Sequence, residues 1–193
     1  MGVHRSGKEW VKDHICTEIK TNIVTAVEIL DKHAADSPQF GNLIEATAQN
    51  FTVNEASADK AYLSHSNLGM VESIGGTPFV PFKSNSTDGG GGGAWARMHG
   101  YFQFRRDEFM QHYHKRSNVE STFSMVKAKF RDHVRSKTDV AMKNEVLCKF
   151  LCHNICCVIM EQCVLGIEPI FWPDAEPSGD EPAILTLRRN DGK

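Results

Sequence analysis

The chain has 193 residues, a formal net charge of −2 and 40% hydrophobic residues, which allows one domain with a sizeable core. Met1 to Lys12 is polar throughout and argues against a secretory signal there. The longest apolar run, Val146 to Phe171, is broken by Lys149, His153, Asn154 and Glu161. It therefore reads as a buried helix and not as a membrane span.

Trp10 to Ile19 and Asn22 to Leu30 read as two strands around a turn at Lys20-Thr21. The second is rich in β-branched residues, and the short connection predicts an antiparallel hairpin. Asp36-Ser37-Pro38 predicts a helix start, with Ser37 as cap and Pro38 at the first helical position. The helix should run to about Asn50 and bury Phe40, Leu43, Ile44 and Ala48. A short, weakly apolar segment near Val53 to Ala58 leads to Asp59. Ser64 to Ile74 predicts a short helix stopped at Gly75-Gly76. Thr77 to Lys83 is a strand whose prolines put it near an edge. Ser84 to Gly93 is a glycine-rich loop, with no helix expected directly after it and hence no phosphate cradle. Trp95 to Met110 should be helical in its latter part. Thr138 or Asp139 can cap a long helix from about Val140 to Leu165, ended by Gly166. Beyond it, residues 172–193 are expected to be an acidic, irregular tail to a domain spanning 1–171.

Charge is unevenly distributed. Between Trp95 and Lys137 basic residues outnumber acidic ones, whereas Glu168 to Pro182 holds no Lys or Arg. A locally basic segment in a near-neutral chain points to a polyanionic partner. The six cysteines include five on the long apolar helix, together with His153. One straight helix cannot wrap a tetrahedral metal, so cysteine as a small core hydrophobe is the better account, in a reducing, cytoplasmic setting.

The stretch around which the rest is organised is Tyr113 to Lys127, with the spacing Y-x2-R-x3-E-x6-K. On a continuous helix Tyr113, Arg116, Glu120 and Lys127 would project within an arc of about 60°. Val119, Phe123, Val126 and Phe130 would form a second, apolar arc beside it. A solvated charged face next to a core stripe is the ordinary reading of such a pattern. Here, however, the stripe combines an aromatic ring, two cations and a carboxylate, residue types suited to phosphate chemistry.

The spacing resembles the signature helix of insertion-sequence transposases of the DDE type. Ala58-Asp59-Lys60-Ala61-Tyr62 resembles that family's second-Asp strand end, and Asn144-Glu145 through His153-Asn154 its C-terminal helices. The resemblance runs from about Trp10 to Phe171. It implies an α/β, ribonuclease-H-like (integrase-like) catalytic domain and DNA, as transposon ends and target, for a partner. It also implies phosphodiester cleavage and strand transfer with Mg²⁺ or Mn²⁺ held by carboxylates. Carried over, Asp59 and Glu120 are the catalytic, metal-binding carboxylates, and Tyr113, Arg116 and Lys127 are the DNA-binding residues. A cytoplasmic, nucleoid-associated, homo-oligomeric protein with no membrane contact and no small-molecule substrate follows from the same likeness.

One departure matters. The family's first Asp ends a strand preceding the segment here at Trp10 to His14. The nine residues before Trp10, MGVHRSGKE, hold no Asp and no apolar strand. The expectation is a domain lacking its first central strand, the product of a truncated or frameshifted element, with impaired catalysis and poor stability. Without that strand, the hairpin and the strand before Asp59 would each show an unpaired edge facing a gap. The alternative is a non-catalytic DNA-binding or subunit-pairing fragment that modulates a full-length transposase. A chance motif on an unrelated fold would leave Asp59 and Glu120 far apart.

Overall fold

The computed structural model describes residues 2–5, 10–31, 38–89, 92–168 and 188–189. The β-branched run forms β3 (Val24–Asp31), antiparallel to β2 (Trp10–Thr17), with Val11 opposite Asp31 and Cys16 opposite Ala26. The connection is longer than the expected two-residue turn. Asn22 adopts φ 60°, and the Glu18 carboxylate accepts from the backbone N–H of Lys20 and Thr21 at 2.9 and 2.7 Å. A carboxylate that gathers two loop donors replaces the ladder there.

A strand also forms where the sequence predicts none. β1 (Gly2–Arg5) pairs antiparallel with Trp10–Lys12 and parallel with β6 (His133–Val134), giving the sheet order β3-β2-β1-β6. Its residues show no apolar alternation, and it exists because two strand edges offer it partners. It covers only the first three residues of β2.

The second unit begins with α1 (Gln39–Ala48), which buries Phe40, Leu43, Ile44 and Thr47. Thr47 is buried in place of the expected Ala48, and its hydroxyl meets that of Thr25 at 3.0 Å. Pro38 is the N-cap, so the helix starts one residue later than predicted; Asp36 and Ser37 lie outside the described residues. β4 (Glu55–Ser57) and β5 (Thr77–Phe79) then pair as a separate parallel sheet, Glu55 opposite Thr77. Between them α2 (His65–Ser73) starts at Ser64, whose side chain accepts from Asn67 N–H at 3.1 Å.

α3 (Gly93–Phe104) begins on the last glycine of the glycine-rich loop, contrary to the expectation that no helix follows directly, and α4 (Arg106–His114) succeeds it after a single residue. These helices carry Met98, Phe102 and Phe109 into a core with Leu68, Val71 and Phe79. A second core joins Ile15 and Val24 of the hairpin to Phe123 and Val126 of α5 (Ser117–Phe130) and to Val146 and Phe150 of α6 (Asp139–Leu165). The predicted apolar arc of α5 is thus the face that docks.

α6 is capped as the sequence indicates, by Thr138 accepting from Ala141 N–H and by Gly166 in the left-handed region. It is long and apolar enough, by length and composition, to cross a membrane. It is not buried all round, as the sequence suggests. Met142, Val146, Phe150, His153 and Cys157 are buried, but Leu147, Leu151, Ile155, Ile159 and Val164 are exposed. Of its cysteines only Cys157 is a core residue; Cys148, Cys152 and Cys163 are exposed. Polar groups tie the helix to the hairpin. The Asn154 amide accepts from Val24 N–H and donates to Val24 C=O, both at 2.8 Å, and His153 Nε2 lies 3.0 Å from Asn22 C=O. Past Gly166, β7 (Ile167–Glu168) pairs antiparallel with β8 (Arg188–Arg189), so the tail is not wholly irregular.

Candidate functional site

β4 delivers Asp59 to the surface. Ala58 N–H donates to Phe79 C=O at 3.4 Å, and Asp59, in extended backbone, accepts from Tyr62 N–H at 2.9 Å to start a tight 3₁₀ turn, Lys60–Tyr62. The Tyr62 hydroxyl meets Nδ1 of buried His14 at 2.7 Å, which ties this turn to β2.

Facing Asp59 is the junction of α4 and α5. The signature stretch is not one helix, as the arc argument assumes. Lys115 N–H bonds His112 C=O and Arg116 N–H bonds Tyr113 C=O, at 3.2 and 3.0 Å, a tightened three-residue pattern that breaks the helix between His114 and Ser117. Tyr113 therefore belongs to α4, Arg116 to the junction, and Glu120 and Lys127 to α5.

Arg116 gathers the site. Its guanidinium donates from one terminal nitrogen to Asp59 Oδ2 at 3.2 Å and from the other to Glu120 Oε1 at 3.0 Å. Its charged end lies 5.8 Å from the Tyr113 ring centre. Although partial burial works against the charge, Asp59, Tyr113 and Glu120 together raise the Arg116 pKa above its usual value. The carboxylates are 53% and 62% exposed as side chains, against 26% for Arg116. Ion pairs so open to water add little stability. What they fix is geometry, because a planar fork sets two carboxylates at defined positions.

Lys127 does not join this group. It lies nearly two turns along α5 from Glu120, beside a small cavity that it lines with Asp13, Phe123 and Lys149. Asp13 is a buried carboxyl whose Oδ1 has no hydrogen-bond partner among the described residues. Burial pushes its pKa up to about 6 against the pull of cations that include Lys127.

The sequence reading also missed a cluster beside Asp59. Glu55 accepts from Lys115 Nζ at 2.9 Å and lies 2.8 Å from His112 Nδ1, while the His112 ring stacks on Phe79 at 4.4 Å. Burial opposes ionisation of Glu55, but those hydrogen bonds hold its pKa below the usual carboxylate value. His112 is thus a packed, paired side chain and not an exposed one. No pattern in the sequence marks Glu55; only the β4–α4 contact does.

A cavity of about 1180 Å³ opens next to Asp59 and Glu120. Residues 12–20 and 54–58 form two of its walls; Phe40, Leu43 and Ile44 of α1 and Val119 and Phe123 of α5 form the others. Among the described residues no cluster of three or more His, Cys, Asp or Glu side chains is arranged to hold a metal.

A family model described as the transposase DDE domain matches residues 2–155. The chain belongs to the DDE transposases. Metal and DNA binding are typical of these transposases, and their domain implies a ribonuclease-H-like α/β fold; the mixed α/β architecture here is compatible with it. Comparison with curated proteins and with solved structures finds no match.

Within this transposase domain the basic segment divides in two. Arg97, Arg105, Lys115 and Arg116 are engaged with Glu72, Glu108, Glu55 and the Asp59–Glu120 pair. Lys129, Arg131, Arg135 and Lys137 are exposed, with no carboxylate in ion-pair range among the described residues.

Proposed function

We propose that this chain supplies the second and third carboxylates of a DDE transposase site, Asp59 and Glu120, and binds DNA across them. The observation that carries this is the single guanidinium of Arg116 bonded to both carboxylates, from residues 57 positions apart and 4 positions apart in sequence. Two exposed carboxylates form a hard oxygen donor set that fits Mg²⁺ or Mn²⁺, ions that keep several waters and need few protein ligands. Asp59 and Glu120 would hold such an ion, which would supply Lewis-acid activation of a hydroxyl and stabilisation of a leaving oxygen at phosphorus. Arg116 and Tyr113 would bind and orient the DNA backbone at that point. The exposed cations at the end of α5 and beyond, including Arg131 and Arg135, would extend the contact. Lys127 would then follow the flanking phosphates from its place farther along α5.

The same reading makes the sheet ribonuclease-H-like, with β1 beside β2 over Trp10–Lys12 among the described residues. Among the described residues no third carboxylate joins Asp59 and Glu120 in a metal-holding group. We expect the chain alone to bind DNA and one class of divalent ion but not to cut DNA efficiently. A role as a DNA-binding or subunit-pairing modulator of a complete transposase, in the cytoplasm, follows from that expectation.

The test combines two readouts on the purified chain. Mn²⁺ binding measured by electron paramagnetic resonance should weaken at least tenfold in Asp59→Asn and in Glu120→Gln, without loss of fold by circular dichroism. DNA retention should fall steeply with salt, and a nicking assay with Mg²⁺ or Mn²⁺ should show little turnover. Mn²⁺ affinity unchanged in both variants would remove the site. Efficient nicking abolished by Glu120→Gln would keep the site and reject the non-catalytic role.

A further inference from the structure

α6 turns an apolar stripe to solvent, and we propose that this stripe is a self-pairing surface on which two copies of the chain pack α6 against α6, antiparallel. Leu147, Leu151, Ile155 and Ile159 recur every fourth residue and are 43%, 60%, 50% and 53% exposed. The other side of the helix is the one committed to the core, through Val146, Phe150 and buried His153. Apolar residues exposed singly are ordinary, whereas a continuous stripe marks a surface that takes a partner. α6 has 27 residues and is about 40 Å long at 1.5 Å per residue, enough for side chains of two helices to interlock along a shared seam.

The ends and rim of the stripe identify a second copy as the occupant. Asn144 and Gln162, both exposed, continue the stripe at its two ends. They are 18 residues apart in sequence, which is five whole turns, so they lie on the same side of the helix. In a two-fold pair with Leu151 opposite Ile155 of the second copy, Leu147 falls opposite Ile159 and Asn144 opposite Gln162. Aliphatic side chains then meet aliphatic ones, and each amide meets an amide that can fix the register.

Charge selects the direction. Lys143 and Glu161 are also 18 residues apart, on one flank of the stripe. Antiparallel two-fold packing brings the same flank of both helices together, so Lys143 of each copy comes within a turn of Glu161 of the other. It also opposes the two helix dipoles. Parallel packing in register would align the dipoles and leave Lys143 a helix end away from Glu161. Rim ion pairs of this kind add little affinity; they choose the orientation. A lipid surface would also accept the aliphatic stripe, since α6 is long and apolar enough to cross a membrane. It would leave the two amides and the Glu161 carboxylate without partners. The inference goes beyond the proposed DNA function, and no part of it depends on Asp59 and Glu120.

The experiment is sedimentation equilibrium of the full chain at low salt, with a reductant present so that the exposed cysteines form no disulfides. The parent chain should form a reversible dimer. Leu151→Asp, at an exposed position, should weaken it at least 100-fold while leaving the circular dichroism of the monomer unchanged. Lys143→Glu and Glu161→Lys should each weaken it about tenfold, and the double variant should return to within about twofold of the parent. The two charge variants decide the matter even if Leu151→Asp disturbs folding. A parent chain that stays monomeric at hundreds of micromolar would overturn the proposal. So would a dimer indifferent to Leu151→Asp, or a double variant as weak as either single one. Flotation of the parent, but not of Leu151→Asp, with phosphatidylglycerol vesicles and no dimer in solution would assign the face to lipid instead.

Discussion

Replacing Asp13 by Val tests the energetics at the heart of the hairpin. Asp13 is 3% exposed, on β2 against α5, and one carboxylate oxygen has no hydrogen-bond partner among the described residues. Burial raises its pKa from 3.8 to about 6, so the folded chain holds the proton more tightly than the unfolded chain. Its ionisation therefore costs no stability well below the unfolded value. Stability falls as pH rises from about 4 to about 6, then stays reduced above that. A shift of this size corresponds to about 3 kcal/mol. Val adds no charge and suits a strand, but it changes packing as well. That packing change is the same at every pH, so the informative quantity is the difference between pH 8 and pH 4. Asp13→Val should be more stabilising at pH 8 than at pH 4 by about 2.4 kcal/mol, or about 5–10 °C in melting temperature for a domain of this size. Thermal or urea unfolding followed by circular dichroism at several pH values measures it. A variant whose stability relative to the parent changes by under about 0.5 kcal/mol across that range would refute the buried-carboxylate argument.

Other expectations follow from single contacts. Asn154→Leu removes both hydrogen bonds to Val24 and leaves a buried strand end unsatisfied, which should cost about 2–3 kcal/mol in urea unfolding. Gly76→Ala would bring its Cβ within 2.7 Å of Val53 C=O, so overpacking should lower stability by about 1–3 kcal/mol, visible as a lower melting temperature. Thiol titration at pH 7.5 should label Cys148, Cys152 and Cys163 quickly and Cys157 only on unfolding, since burial both shields that thiol and raises its pKa.

Several elements were legible because local chemistry and tertiary packing agree. Thr138 and Gly166 bracket α6 through cap geometry that needs no partner. Ser64 caps α2 in the same way. The β-branched content of residues 23–29 prefers a pleated surface, and the hairpin supplies one. Others were not legible because no local signal exists. Lys115 and Arg116 both keep right-handed helical backbone, so the break between α4 and α5 is a change in hydrogen-bond step without a Gly or Pro to announce it. β1 is strand only because β2 and β6 have edges to offer. The apolar content of α6 suggests burial all round, but the chain brings the hairpin and α5 to one side of it.

The sequence by itself determined the family, through residue types and spacings around Tyr113, Arg116 and Glu120, and the ends of the helices, because such signals are local. Only the tertiary structure decided that Asp59 and Glu120 share one guanidinium while Lys127 lines a small cavity with Asp13. It alone also decided that β4 pairs with β5 in a parallel sheet separate from that of β2. Spacing along a chain fixes direction only while the helix is unbroken, and contacts between distant segments depend on how whole layers pack.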